Sequence, residues 1–275
     1  MRRAARRRLF GEEIAEAASP GDIAAATAPM TISLDTLMNG QPPTRPARLG
    51  AAVLSTIIDN IVSEALLPES TLPNERELCA AFGVSRTVIR ESIKVLEEKG
   101  LVRVKQGQGT TVAAPQNWNL LDPLVLEASI RYDKTLRTLD GLVDVRVGLE
   151  SQMTRRAAEI MTDEQLGELQ AALIALGQML DQGEAYQLAD TEYHDVIHRG
   201  SGNQLARSII RTIHPYARAS MRYTVPTTAE DLASSHRGHV KIYERLAERD
   251  AEGAAAAMRE HILGSWLERR ARPPG

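Results

Sequence analysis

Between Leu72 and Lys94 the chain reads LPNERELCAAFGVSRTVIRESIK, and this run restricts the fold more than any other stretch. Asn74 followed three residues later by Glu77 is an N-cap with its capping-box partner, so a short helix starts here and carries Leu78 and Ala81. Gly83 ends it, since glycine enters the left-handed region at a helix C-terminus without a Cβ clash. Val84 and Ser85 supply a turn and a second cap. The next helix sets Arg86, Arg90 and Lys94 at i, i+4 and i+8 beside an apolar stripe of Ile89, Ile93 and Leu96. One face is made to be buried and the face beside it is cationic. An ordinary helical hairpin with a solvated charged face has the same two helices, so the flanking segments decide.

Upstream, Arg48 to Leu66 is an amphipathic helix with Val53, Ile57, Ile58, Ile61 and Val62 facing inward, which completes a three-helix core. Downstream, Lys99-Gly100 stops the second helix, and Leu101, Val102 and Val104 lead into a Gly-x-Gly turn at Gly107 and Gly109. Thr110 to Val112 return as the second strand of a two-stranded wing. Lys105 and Gln106 place donors at its tip, where they reach a minor-groove backbone. The expectation is a winged helix-turn-helix whose second helix enters the major groove. Arginines there bridge guanine O6 and N7, while the hydroxyls of Ser85 and Thr87 take phosphates.

Charge argues that the cations are placed rather than abundant. The net charge is −3, so no bulk basic field draws nucleic acid, and affinity has to come from specific contacts and a second copy of the chain. A 275-residue chain that is 43% hydrophobic fills one small and one medium domain. The single cysteine, Cys79, excludes an intrachain disulfide, fits a reducing cytoplasm and falls on an apolar helix face as a core residue. No uninterrupted apolar run is long enough for a transmembrane helix. The first 46 residues read as a disordered extension. Arg2 to Arg8 resemble half of a twin-arginine signal, but the acidic, proline-broken sequence that follows lacks the apolar run of an exported protein. The segment is read as an extension without a role, the alternative being an arm that adds phosphate contacts. Pro42, Pro43 and Pro46 close it as a linker.

Residues 47–113 are therefore the DNA-binding domain and 114–134 a linker with a short helix. Asp122 caps that helix with Pro123 in its first turn, and Trp118 seals the junction. Residues 135–270 are an all-α bundle of six helices, over about 135–159, 163–181, 184–199, 203–221, 227–248 and 251–270. The fold class is mainly α. Asp190 and His194 lie one turn apart on one helix face, and His239 and His261 sit on two later helices. One carboxylate and three imidazoles would, if they met between helices, make a divalent metal site, for zinc first, with manganese, iron or nickel as alternatives. Taken singly, each histidine is an ordinary hydrogen-bonded residue, and His198, His214 and His236 are left in that class.

The block from Arg48 to Val112 resembles the winged helix of the GntR family of bacterial transcription regulators, with its LPsEReLa, gVSRtvvReAL and GLv....G.GtfV elements. The resemblance implies DNA contacts from Arg76, Ser85, Arg86, Thr87, Arg90 and Gly107. Residues from about Leu139 to His261 resemble the FCD ligand-binding domain of the FadR-type members. That resemblance implies Asp190, His194, His239 and His261 as metal ligands, with Tyr193 where the family has Phe. It also implies Arg146, with Glu150 beside it in VRVGLE, facing an effector cavity, and Asn203 as a cavity or helix-cap residue. The junction GQGTTVAAPQNWNLLDPLVLEASI is similar to the galactonate- and gluconate-type (DgoR-like) branch.

These readings converge on a cytoplasmic repressor, working as a homodimer on an inverted-repeat operator in double-stranded DNA. Its effector is a small carboxylate, a sugar acid in the first place and a dicarboxylate or short hydroxy acid such as lactate in the second. A metallohydrolase tethered to DNA is the remote alternative, since no general base beyond the ligands, nucleophile motif or phosphate loop accompanies the metal set. A purely architectural DNA binder is a third reading, which a metal-free bundle without a cavity would favour.

Overall fold

The computed structural model describes residues 45–105, 107, 109–218 and 228–271. Residues 1–44, with the Arg2 to Arg8 segment, lie outside the described residues, as does Gln106. Helix α1 (Arg45–Val62) begins before the expected linker ends, so Pro46 falls in its first turn, where a missing N–H leaves no orphan. It also stops short of Leu66. Glu64 turns into the left-handed region at φ 63°, and the Leu66 N–H donates back to Asn60 O at 2.8 Å.

The helix-turn-helix follows its caps. In α2 (Glu75–Phe82) Asn74 Oδ1 accepts the Glu77 N–H at 3.1 Å, and Glu77 Oε2 accepts the Asn74 N–H at 3.0 Å. Gly83 closes the helix at φ 64°. Ser85 caps α3 (Arg86–Glu98) by accepting the Val88 N–H. Strands β1 (Val102–Lys105) and β2 (Gly109–Val112) form the antiparallel wing, with Val102 opposite Val112. The structure adds a third stretch to it. Thr71 bridges Thr111, the Leu72 N–H donates to Thr110 O, and the Val112 N–H donates to Ser70 O, so the far edge of β2 is paired rather than open. Val53, Ile57, Ile58, Ile61, Leu78, Ile89, Leu96, Leu101 and Val112 are the core beneath these elements, with half-buried Cys79 against it.

Gly100 joins α3 to the wing at φ 75°, and a Cβ there would sit 2.1 Å from Asn117 O. Two penalties coincide, a left-handed backbone costing about 1–2 kcal/mol for an L side chain and a clash with backbone that has no rotamer to escape into. Gly100→Ala is expected to destabilise the fold by more than about 2 kcal/mol in urea unfolding. A change inside about 0.5 kcal/mol would show that the Lys99 to Trp118 junction is soft.

Helix α4 (Pro123–Tyr132) joins the two halves. Asp122 caps it, with Pro123 at its first position, and the Asp122 carboxylate also pairs with Lys99 at the end of α3. Trp118 packs on the first core and donates its indole N–H to Ala113 O at 3.2 Å. Val125 and Ala128 enter the core of the winged helix, while Leu126 and Ile130 enter the core of the bundle. Burying a valine, leucine or isoleucine side chain contributes about 1.5–3 kcal/mol, so α4 holds both halves at once, and the described residues from 45 to 271 fall in one compact unit.

The bundle comprises α5 (Arg137–Ile160), α6 (Asp163–Gly177), α7 (Gly183–Gly200), α8 (Gln204–Arg218), α9 (Ala229–Ala247) and α10 (Ala251–Arg270). These are the six expected helices, although α6 ends four residues early. The end expected for α8 near residue 221 lies outside the described residues. Capping boxes at Thr162 with Gln165 and at Thr228 with Asp231 start α6 and α9. α10 runs along α5, tied where Asp140 accepts from the Trp266 indole and the Arg270 guanidinium, both at 2.9 Å. Among the described residues no helix is long and apolar enough to cross a membrane.

Candidate metal centre and nucleic-acid interface

Helix α7 carries Asp190, His194 and His198 on successive turns, and α9 and α10 bring His239 and His261 against them. One donor atom from each of Asp190, His194, His239 and His261 lies within 4.8 Å of the others. His194 Nε2 and His239 Nε2 are 3.3 Å apart, and His239 Nε2 is 3.2 Å from Asp190 Oδ1. Bonds of about 2.0–2.1 Å at tetrahedral angles place neighbouring nitrogens about 3.3–3.4 Å apart, so this pair already has the spacing of two zinc ligands. Gly238 makes room for the fourth donor, because a Cβ at that position would meet His261 Nδ1 at 2.6 Å.

The electrostatics suit a cation. Burial alone raises the Asp190 carboxyl, but a hydrogen bond with His239 and the surrounding imidazoles bring it well below the usual carboxylate value. Burial lowers His239 despite the opposing pull of Asp190. Desolvation, with His239 and His194 alongside, holds His261 well below the ordinary imidazole value. An ionised carboxylate beside neutral rings is the protonation state that ligation needs.

Glu150 stands behind the cluster on α5, fully buried. Its Oε1 accepts from Arg146 Nε at 2.6 Å, and its Oε2 lies 3.0 Å from His194 Nδ1 and 3.2 Å from His198 Nε2. Burial pushes this carboxyl up, yet Arg146 and the two imidazoles outweigh it and hold the group well below its usual value. Glu150 thus backs the ligands instead of facing a cavity, which corrects the expectation for it. Arg146 does line a cavity of about 60 Å³, together with Asp190, His194, His214, Arg218 and His261. Burial, with the Arg146 charge near it, keeps His214 well below the ordinary imidazole value, so it enters the cavity as a neutral ring. Asn203 does not line it. The residue is exposed and caps the start of α8 by accepting the Ala206 N–H at 3.1 Å, so its role as a cavity residue is withdrawn in favour of the cap.

The sequence reading of His198 and His214 as ordinary hydrogen-bonded histidines does not anticipate their place beside the cluster. His198 had a visible signal, continuing the i, i+4 stripe of Asp190 and His194 by one turn. His214 had none, since its approach to the cavity depends on how α8 packs.

At the other end of the molecule Arg76, Arg86, Thr87, Arg90 and Lys105 are exposed, and Ser85 is exposed at the α3 cap. Gly107 sits at the wing tip with φ 77°. A groove of about 560 Å³ runs between α3 and the wing, lined by Arg90, Ile93, Lys94, Lys105 and Gly107. Sequence reasoning missed one contact here. Arg90 Nε donates to both oxygens of Glu75, at 3.0 and 2.9 Å, an ion pair that ties α3 to the start of α2.

Comparison with known proteins agrees with this architecture. Residues 49–112 match the bacterial regulatory proteins of the gntR family and residues 141–264 match the FCD domain. The galactonate operon transcriptional repressor of Escherichia coli is 28% identical over 213 residues, covering 78% of this chain and 93% of that protein. The HTH-type transcriptional repressor NanR of Citrobacter rodentium is 31% identical over 196 residues, covering 70% of this chain and 74% of that protein. A solved Listeria monocytogenes protein, Lar, described as controlling expression of the agr system, has the same fold, with a TM-score of 0.55 at 19% identity over 82% of this chain and 98% of its own. The chain belongs to the gntR family of bacterial regulatory proteins, among those members that carry an FCD domain behind the winged helix.

Proposed function

We propose that the protein is a cytoplasmic transcription repressor released from or tightened on its operator by a small carboxylate, a sugar acid of the aldonate class, bound between a divalent metal and Arg146. The observation that carries this reading is the cluster of Asp190, His194, His239 and His261, of which Asp190, His194 and His261 line the same cavity as Arg146. The metal, zinc before manganese, iron or nickel, supplies Lewis-acid attraction for a carboxylate and its neighbouring hydroxyl. Arg146 offers the fixed cation that orients the anion, and neutral His214 offers a hydrogen bond to a hydroxyl. The kinship with a galactonate operon repressor supports the sugar-acid class. The modest cavity favours the second reading, a dicarboxylate or short hydroxy acid such as lactate. Arg76, Ser85, Arg86, Thr87, Arg90, Lys105 and Gly107 are the proposed DNA contacts.

A thermal-shift screen of zinc-loaded protein against aldonates, uronates, dicarboxylates and lactate tests the effector, because a ligand of the native state raises the melting temperature by mass action. An aldonate is expected to give a shift that Arg146→Ala removes. No shift with any aldonate, or an equal shift in Arg146→Ala, would overturn the sugar-acid reading or the anchor respectively.

The repressor is also proposed to act as a homodimer. One winged helix without net positive charge makes few phosphate contacts, and a second linked copy adds affinity through effective concentration. Sedimentation at micromolar concentration is expected to show a dimer; a monomer that also binds DNA as a monomer counts against it.

A further inference from the structure

We infer that Glu150 is a positioning residue for the metal site, because it fixes the ring tautomer of His194. This rests on the reading of the cluster as a metal centre. Three groups surround this one buried carboxylate. Arg146 Nε occupies Oε1, and His194 Nδ1 and His198 Nε2 share Oε2. A guanidinium only donates and an ionised carboxylate only accepts, so both imidazole nitrogens facing Glu150 must carry protons. In a neutral His194 the proton on Nδ1 leaves a lone pair on Nε2. That nitrogen is the one 3.3 Å from His239 Nε2, inside the ligand cluster. The opposite tautomer would point an N–H at the metal position and exclude the ion. A carboxylate holding the remote nitrogen of a ligating histidine is a general means of setting both tautomer and ring orientation.

The isosteric change Glu150→Gln separates this role from simple packing. An amide cannot accept on both sides. Arg146 cannot give up its proton, so the amide oxygen turns toward Arg146 and the NH₂ group toward the histidines. His194 must then accept at Nδ1, its proton moves to Nε2, and the ligand nitrogen is blocked. His198 has the freedom to make the same exchange, since no metal depends on it.

The test uses the full chain. Zinc affinity is measured by competition with a chelator for wild type and Glu150→Gln, and the ¹⁵N shifts of the His194 ring, assigned through a His194→Gln spectrum, are read in both metal-free proteins. Glu150→Gln is expected to lower zinc affinity by about 10–100-fold and to move the proton from Nδ1 to Nε2. A folded Glu150→Gln protein binding zinc within about threefold of wild type would overturn the inference, as that general range leaves no room for so small a loss. So would a wild-type His194 protonated on Nε2, and this measurement stands even where the variant fails to fold. A structural role alone would lower the melting temperature without moving the tautomer. Wild type that takes up no zinc overturns the metal centre instead, while the tautomer measurement still decides the role of Glu150.

Discussion

His239→Ala combined with His261→Ala is expected to abolish metal binding and effector response together while leaving operator binding largely intact. These two rings come from α9 and α10 and supply half of the proposed donors; Asp190 and His194 on α7 remain. Zinc sites with four protein ligands hold the ion with about 10–16 kcal/mol of apparent free energy, so removing two should cost several kcal/mol, on the order of 10³-fold or more in affinity. The remaining pair on one helix cannot enclose an ion. His239 is fully buried and its Nδ1 lies 3.4 Å from the Tyr186 hydroxyl, so the variant also loses some stability, and the metal-free melting temperature must be followed as a control. Operator binding should persist because the recognition helix packs on a different core, which α4 joins to that of the bundle. Elemental analysis and effector titration check both halves of the expectation. Normal metal content in the double variant would sink the site, and a parallel loss of operator binding would mean that the metal holds the whole fold rather than the cavity.

The parts of this molecule that were legible in the sequence are those governed by local chemistry. Asn74, Gly83, Ser85 and Asp122 announce helix ends because a cap is made within three residues of its helix, so distance in the chain stands for distance in space. Asp190 and His194 are likewise read from a one-turn spacing. The approach of His239 and His261 is different. Nothing in their spacing says that α9 and α10 meet α7, and their grouping came from family resemblance. What stayed hidden depends on packing between elements distant in sequence. Glu75 reaches Arg90 from the preceding helix, Thr71 pairs with the wing, and Glu150 touches two histidines more than forty residues away. Asn203 shows the converse: a matched motif located the residue as a cavity or cap position, and its exposure at a helix start places it among the caps rather than in the cavity lining.

The DNA-binding face carries the other large expected effect. Arg86 and Arg90 lie one turn apart on the exposed face of α3, the helix that enters the major groove in the proposed complex. A bidentate arginine to guanine contact discriminates by about 1–3 kcal/mol, so Arg86→Ala plus Arg90→Ala should remove about 2–6 kcal/mol per half-site where the two act independently. That is enough to bring specific binding close to the nonspecific level, since the two usually differ by about 4–10 kcal/mol. Glu75 sharpens the expectation. It holds Arg90 through Nε, so Glu75→Ala should leave the charge of α3 in place but let the guanidinium swing, relaxing base preference more than it weakens nonspecific binding. Arg76→Ala or Lys105→Ala should act in the other way, weakening all sequences evenly and reducing the slope of affinity against salt by about one for each phosphate contact removed. Binding to operator and to scrambled duplex, measured across a salt series, separates these behaviours. An unchanged footprint in the Arg86→Ala, Arg90→Ala variant would move base readout away from α3, and the groove between α3 and the wing would then be the surface to search for it.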